Sequence, residues 1–334
     1  MIAALGYFAT APGRGELRPL ALPPPRPGEC LLQGVCSGIS AGTERLVGQG
    51  LVPERAFAAM RCAHMRGAFP FPVQYGYCWV GTVADGPDTG QRAFTMHPHQ
   101  DRIVVPRAEL HRLPDELPDA RATLLPNLET AQNAVWDAEL AGDEPALIVG
   151  GGVVGLLLAF VLRAHRGTVV LAEQDPQRAA AIASLPWLRQ VQPPEAVPRG
   201  AFAVAFHATG HGAGLQTAID GLGFEGRVVD LSWYGTRPVT LDLGGDFHWQ
   251  RLSILSSQVG HVGRSQRGRL LPRERMAAVI ELAARHGGEL DRLVDGAGIP
   301  FAALPAFMSG LGRGAATAPM AFVAHGSLPG RAFR

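Results

Sequence analysis

The chain has 334 residues, enough for two domains of ordinary size. Hydrophobic residues make up 47% and charged residues 18%, which excludes a disordered composition and supplies apolar surface for two cores. Lys and Arg number 30 against 29 Asp and Glu, a formal net charge of +1, so no global field draws the chain to nucleic acid or to an anionic membrane.

In chain order, the N-terminus MIAALGYFATAPGRGE has no basic segment leading into an apolar stretch, which points to a cytoplasmic protein. Short β-like runs at residues 29–35, 79–84 and 102–105, punctuated by Gly and Pro, predict a barrel-like antiparallel domain. Cys30, Cys36, Cys62 and Cys78 form no C-x-x-C pair, so reduced thiols are expected. From about residue 124 the texture changes. A helix is predicted over residues 129–140, followed by the β-rich runs ALIVG, TVVLAE, FAVAFHAT and GRVVDLSW with helical segments between the earlier ones. That alternation implies βαβ units and a parallel sheet. A helix over 273–285, an extended piece at 298–301 and a strand at 320–325 close the chain. The expected domains are 1–123, 124–262 and a return of 263–334 to the first domain.

The strongest local signal is ALIVGGGVVGLLLA, a β-run feeding a G-x-G-x-x-G that opens an apolar helix. Gly150 permits the tight turn, Gly152 lets the backbone approach a pyrophosphate, and Gly155 lets helix and strand pack closely. The N–H groups at Gly152, Val153 and Val154 open the helix and face the phosphates with its positive end. Glu173 closes the next β-run, where a carboxylate can accept hydrogen bonds from both ribose hydroxyls and repels a 2′-phosphate. NAD(H) is favoured on that ground, while Arg178 keeps NADP(H) open. Thr209, Ser232 and Trp233 follow later β-runs and are candidates for ribose or nicotinamide contacts, with polar Ser256, Ser257 and Gln258 beyond them.

With this fingerprint in place, the whole chain resembles the medium-chain dehydrogenases, which implies a GroES-like domain followed by a Rossmann domain. In that superfamily one segment supplies the first zinc ligand and a G-H-E-x-x-G segment the next. The corresponding stretches here read SGISAGTE, with Ser40 for the thiolate, and GYCWVG, with Tyr77 and Cys78 for His-Glu. Glu129, in LPNLETAQNA, matches the region of a third ligand. Hydroxyls are poor partners for zinc, and the four-cysteine structural lobe is missing, so the resemblance implies a zinc-independent enzyme. The segments FPFPVQYGY, MHPHQ, DLSWYG and SSQVG are similar to a bacterial subfamily labelled zinc-binding alcohol dehydrogenase. Its members are often encoded beside a 6-pyruvoyltetrahydropterin synthase-like protein, which implies a pterin-like substrate. SGISAGTE is also similar to the bacteriochlorophyllide hydroxyethyl dehydrogenases.

Hydride transfer to a carbonyl develops charge on oxygen, so without a metal a donor must serve. Tyr77 can donate and accept, Glu44 can orient a donor, and His99 suits proton relay near neutrality. Glu129 is a fourth candidate for a catalytic role. His97, two residues from His99, is expected on the opposite face. Ser40, Trp233, Tyr234, Ser257 and Gln258 are candidate pocket residues, the aromatics as walls for a flat substrate. Three functions remain open: hydride transfer at an alcohol or carbonyl, zinc-free reduction of a conjugated C=C bond, or a redox-inactive NAD(H)-binding protein. A homodimer is the superfamily expectation.

Overall fold

A computed structural model describes residues 1–294, 296, 298–312 and 320–326. The chain divides into two compact units, one of residues 1–126 with the chain from Ile280 onward, the other Asn127–Val279.

The first unit is β-rich. Strands Ile2–Ala11 and Arg14–Leu22 form an antiparallel hairpin, its turn made by Gly13 in the left-handed region at φ 67°. The strand Glu29–Gly38 alternates buried and half-buried residues, the period-two pattern of a strand with one face on a core. It pairs antiparallel with Trp79–Val83, with Arg102–Pro106 and with the late strand Phe322–Ala324. Cys30, Leu32, Trp79, Ala93, Ile103 and Val105 pack inside this sheet. The pairing of Phe322–Ala324 brings the far end of the chain to residues 36–38.

The second unit is a six-stranded parallel sheet. The order runs Val191–Gln192, Val169–Ala172, Ala146–Val149, Phe202–His207, Leu222–Asp230, Ser253–Ser256, which in chain order is 3-2-1-4-5-6, the doubly wound Rossmann arrangement. Its central strands are almost wholly apolar and buried, as a sheet covered on both faces requires. The helix Val153–Val161 is buried along most of its length, which explains why its sequence is apolar all round. Asp175 caps the next helix, accepting from the N–H groups of Gln177 and Arg178, with Pro176 at the first helical position.

Two differences from the sequence reading concern boundaries. The helix predicted over 129–140 is Leu125–Ala138. Residues 263–279, expected to begin the return, belong to the second unit, because the Gly263 N–H donates to Asn133 and Arg275 is bound to Glu129. The hairpin Ile2–Ala11 with Arg14–Leu22 and the outer strand Ser253–Ser256 were not anticipated.

Candidate active site

In the first unit the structure brings Ser40, Glu44, Tyr77 and His99 to one place. Glu44 lies in the first turn of the helix Ala41–Gly48 and reaches back with Oε1 to accept the Ser40 N–H at 2.8 Å. Its Oε2 meets His99 Nε2 at 2.8 Å, both side chains being buried. Gly76 permits the close approach of the His99 loop, since a Cβ there would stand 3.2 Å from Pro98 Cα. The Tyr77 phenol shares hydrogen bonds with the Ser40 and Thr43 hydroxyls. Burial, only partly offset by those two bonds, pushes its ionisation up to about 12, with the Glu44 charge adding to the rise. Tyr77 is therefore a phenol that keeps its proton at neutral pH and can donate it. His97 turns to Pro98 O and stacks on His64, and burial pushes it down to about 3.

Sequence reasoning missed two members of this group. Ser37 Oγ lies 2.6 Å from His99 Nδ1 and 2.8 Å from His325 Nε2. Ser37 opens the segment SGISAGTE without being singled out there, His325 stands in no motif, and 288 positions separate the two.

Cys78 Sγ bonds Thr123 O, and burial pushes its thiol up to about 12. Glu44 is occupied by His99 and Ser40, and no group of three His, Cys, Asp or Glu able to hold a metal occurs among the described residues.

In the second unit the glycine-rich turn sits where the strand order reverses, between Ala146–Val149 and Phe202–His207. Gly150 has φ 111°, and a Cβ on it would lie 3.0 Å from Thr209 Cγ2. A Cβ on Gly155 would fall 1.9 Å from Gly150 O, so only glycine lets this helix approach the turn. Gly152 faces open space, and the helix beginning at Val153 has no side-chain cap, so the N–H groups of its first turn point to an anion site. The turn thus fits a dinucleotide pyrophosphate. Glu173 holds the turn from the side: its Oε2 accepts the Gly151 N–H and its Oε1 the Asp175 N–H, each at 2.8 Å. Arg178 Nη1 lies 3.4 Å from the same carboxylate.

Other candidates are engaged within this unit. His207, fully buried, meets Asp230 Oδ1 at 2.9 Å and Thr209 Oγ1 at 2.6 Å. Ser232 Oγ accepts the Gly210 N–H, and Tyr234 donates to Asp230 while stacking on His207. Tyr234 therefore packs as part of the strand ends, while Trp233 beside it is half-buried. Ser257 donates to Asp137, and Gln258 lines a cavity of about 480 Å³ with Ser256, His261, Arg264 and Arg267. Glu129 is paired at 2.9 Å with buried Arg275, whose other N–H groups bond Asn133, Val259 and His261. Burial pushes the Glu129 carboxyl up against the opposing pull of Arg275. Its place is in that ion pair and not as a free proton carrier.

A 2-desacetyl-2-hydroxyethyl bacteriochlorophyllide A dehydrogenase of Rhodobacter capsulatus is 30% identical over 238 residues, 65% of this chain and 69% of that one. The chain belongs to the medium-chain dehydrogenase/reductase superfamily. Two further curated relatives of this superfamily type, a sugar-acid dehydrogenase of Pseudoalteromonas atlantica and a diacetyl reductase of Saccharomyces cerevisiae, are matched over only 49% and 40% of their own lengths. Among solved structures, a zinc-binding dehydrogenase of Sinorhizobium meliloti bound to NADP superposes with a TM-score of 0.75 at 18% identity, covering 97% of this chain and 100% of that one. The 2R,3R-butanediol dehydrogenase of Bacillus subtilis gives 0.73 at 18% identity, over 96% and 99%. At such identity these two show the medium-chain fold alone. No family profile matches the chain.

Proposed function

We propose that this medium-chain dehydrogenase/reductase transfers a hydride between a nicotinamide cofactor and an alcohol or carbonyl of a small planar heterocycle, pterin-like in size, without catalytic zinc. The observation that carries the reading is the donor set at Ser40, Thr43 and Tyr77, three hydroxyls backed by the buried Glu44–His99 pair where the superfamily has metal ligands. The glycine-rich turn at Gly150, Gly152 and Gly155 would hold the cofactor, which would supply or accept the hydride. Tyr77 then donates its proton to the substrate oxygen as charge develops there, Ser40 and Thr43 orient the phenol and share its charge, and Glu44 with His99 sets its acidity. In the reverse direction Tyr77 holds the alcohol proton.

Glu173 supports NAD(H) over NADP(H), since its carboxylate opposes a 2′-phosphate. The exposed Arg178 beside it favours the phosphorylated cofactor. A homodimer is supported by the outer strand Ser253–Ser256, which leaves Ile254 exposed. The free thiols of all four cysteines accord with a cytoplasmic location, and no helix among the described residues is long and apolar enough to cross a membrane.

Calorimetry with NADH and NADPH, repeated on Glu173→Ala, tests the cofactor; tighter NADPH binding by the wild type with no change in the variant refutes the preference. Elemental analysis of protein purified without added metal tests the chemistry. One tightly held zinc per chain refutes the zinc-free reading, and full activity after chelation supports it. Assays pairing ketones with conjugated enones separate carbonyl reduction from C=C reduction.

A further inference from the structure

The Glu44–His99 pair is the end of a longer chain. Glu44 Oε2 as a carboxylate accepts from His99 Nε2, which places the proton of a neutral His99 on that nitrogen. Nδ1 is then an acceptor, and Ser37 donates its hydroxyl proton to it at 2.6 Å. Ser37 Oγ in turn accepts from His325 Nε2 at 2.8 Å, so His325 is left with a bare Nδ1. That nitrogen is buried and has no partner among the described residues, an unsatisfied position that a native fold ordinarily avoids. The His325 ring is held in place by its backbone N–H on Val35 O and by Phe301, whose ring centroid lies 4.5 Å away.

We propose that Ser37 and His325 complete with His99 and Glu44 a buried chain that takes up one proton through His325 and, once loaded, makes Tyr77 the stronger acid. The proposal rests on the reading of Tyr77 as proton donor. In the step, a hydronium ion gives a proton to His325 Nδ1 and leaves as water; the Nε2 proton passes to Ser37 Oγ, and the Ser37 hydroxyl proton passes to His99 Nδ1. Three N–H or O–H bonds form and the corresponding ones break, with no net change but one added proton. His99 becomes an imidazolium against the Glu44 carboxylate, and His325 ends neutral with its proton on Nδ1. Since the Glu44 charge opposes ionisation of Tyr77, compensating it eases proton release from the phenol.

The surroundings disfavour charge on His325. Burial and the adjoining His99 and His97 imidazoles push His325 down to about 3, so it passes the proton on. His97, held neutral, adds no competing charge, and His64 beyond it is paired with Glu109. Around Glu44 stand Tyr7, Tyr75 and Cys62 as well as Tyr77 and Cys78, all pushed up by burial and all neutral near pH 7. Glu44 is thus the fixed negative charge that this set shares.

The test is nitrogen NMR of the full chain labelled in histidine, followed through acidification. The expected result is that His99 and His325 both carry Nε2–H at neutral pH. They change in one step, His99 to imidazolium and His325 to the neutral Nδ1–H form. Independent titration of the two rings, or Nδ1–H on His325 throughout, overturns the proposal without need of any variant. Ser37→Ala should uncouple the two rings and remove the limb of the pH–rate profile for carbonyl reduction that follows proton loading, where a charged His99 lets Tyr77 donate more readily. Ser37→Thr should restore both. An unmoved profile in Ser37→Ala overturns the link to Tyr77. A one-step switch in a protein with no nicotinamide-dependent activity upholds the proton-loading chain and refutes the oxidoreductase reading.

Discussion

Tyr77 keeps its proton because burial outweighs the two hydroxyls that would stabilise its anion. Tyr77→Phe removes that proton and keeps the ring, so folding and cofactor affinity should change little. If Tyr77 is the acid, kcat should fall by roughly 10²–10⁴ with KM nearly constant. A wild-type kcat in steady-state assays where chemistry limits turnover refutes the role. At this scale the sequence was legible where a motif displaced a known ligand: Ser40, Glu44 and Tyr77 stand in matched segments. His99 was one of two histidines with nothing local to choose between them beyond their opposite faces. The choice is made by Glu44, a helix away, and Ser37 and His325 were unreadable because their partnership exists only once the late strand Phe322–Ala324 lies along residues 36–38.

Elements were legible in proportion to their burial. The parallel strands of the second unit read as uninterrupted apolar runs because both faces are covered. Arg14–Leu22 and Ser253–Ser256 did not, since their exposed positions admit Arg, Glu, Pro and Ser. The glycine fingerprint gave a helix, a turn and a close approach together, and the approach can be tested. Gly155→Ala puts a methyl group into the Gly150 carbonyl, which is backbone and cannot rotate away. The expected loss is about 1–3 kcal/mol of stability by urea unfolding, with weakened cofactor binding. The helix Leu125–Ala138 carries a different lesson. Glu129 looked like a site residue because it is a carboxylate in an otherwise neutral segment, yet its meaning lies in Arg275, on the helix Pro272–Arg285. Glu129→Ala strands that guanidinium and should cost about 3–5 kcal/mol. Glu129→Leu combined with Arg275→Met should recover most of the loss, because an apolar pair needs no desolvation of charge. A double variant no more stable than Glu129→Ala refutes this account of the pair.

At the scale of the whole molecule, the buried imidazoles couple folding to pH. His97 is pushed down to about 3, first by burial and then by His64, Arg66 and His99, despite its bond to Pro98 O. In an unfolded chain a histidine titrates near about 6.5. Between these values the unfolded chain binds more protons than the folded one, so stability rises with pH and is lost as pH falls below about 6.5 toward 3. Glu129 acts with the opposite sign: its raised carboxyl favours the folded state on acidification, an effect lost as pH rises through its folded value. The wild-type curve therefore mixes the two, and the informative quantity is the difference between wild type and His97→Gln. Glutamine can keep a donor toward Pro98 O but cannot take up a proton. Urea unfolding of both proteins at pH 7 and pH 5 should show the wild type losing more stability on acidification than His97→Gln does. Equal losses, or a larger loss in the variant, would mean that His97 is not held neutral by the fold.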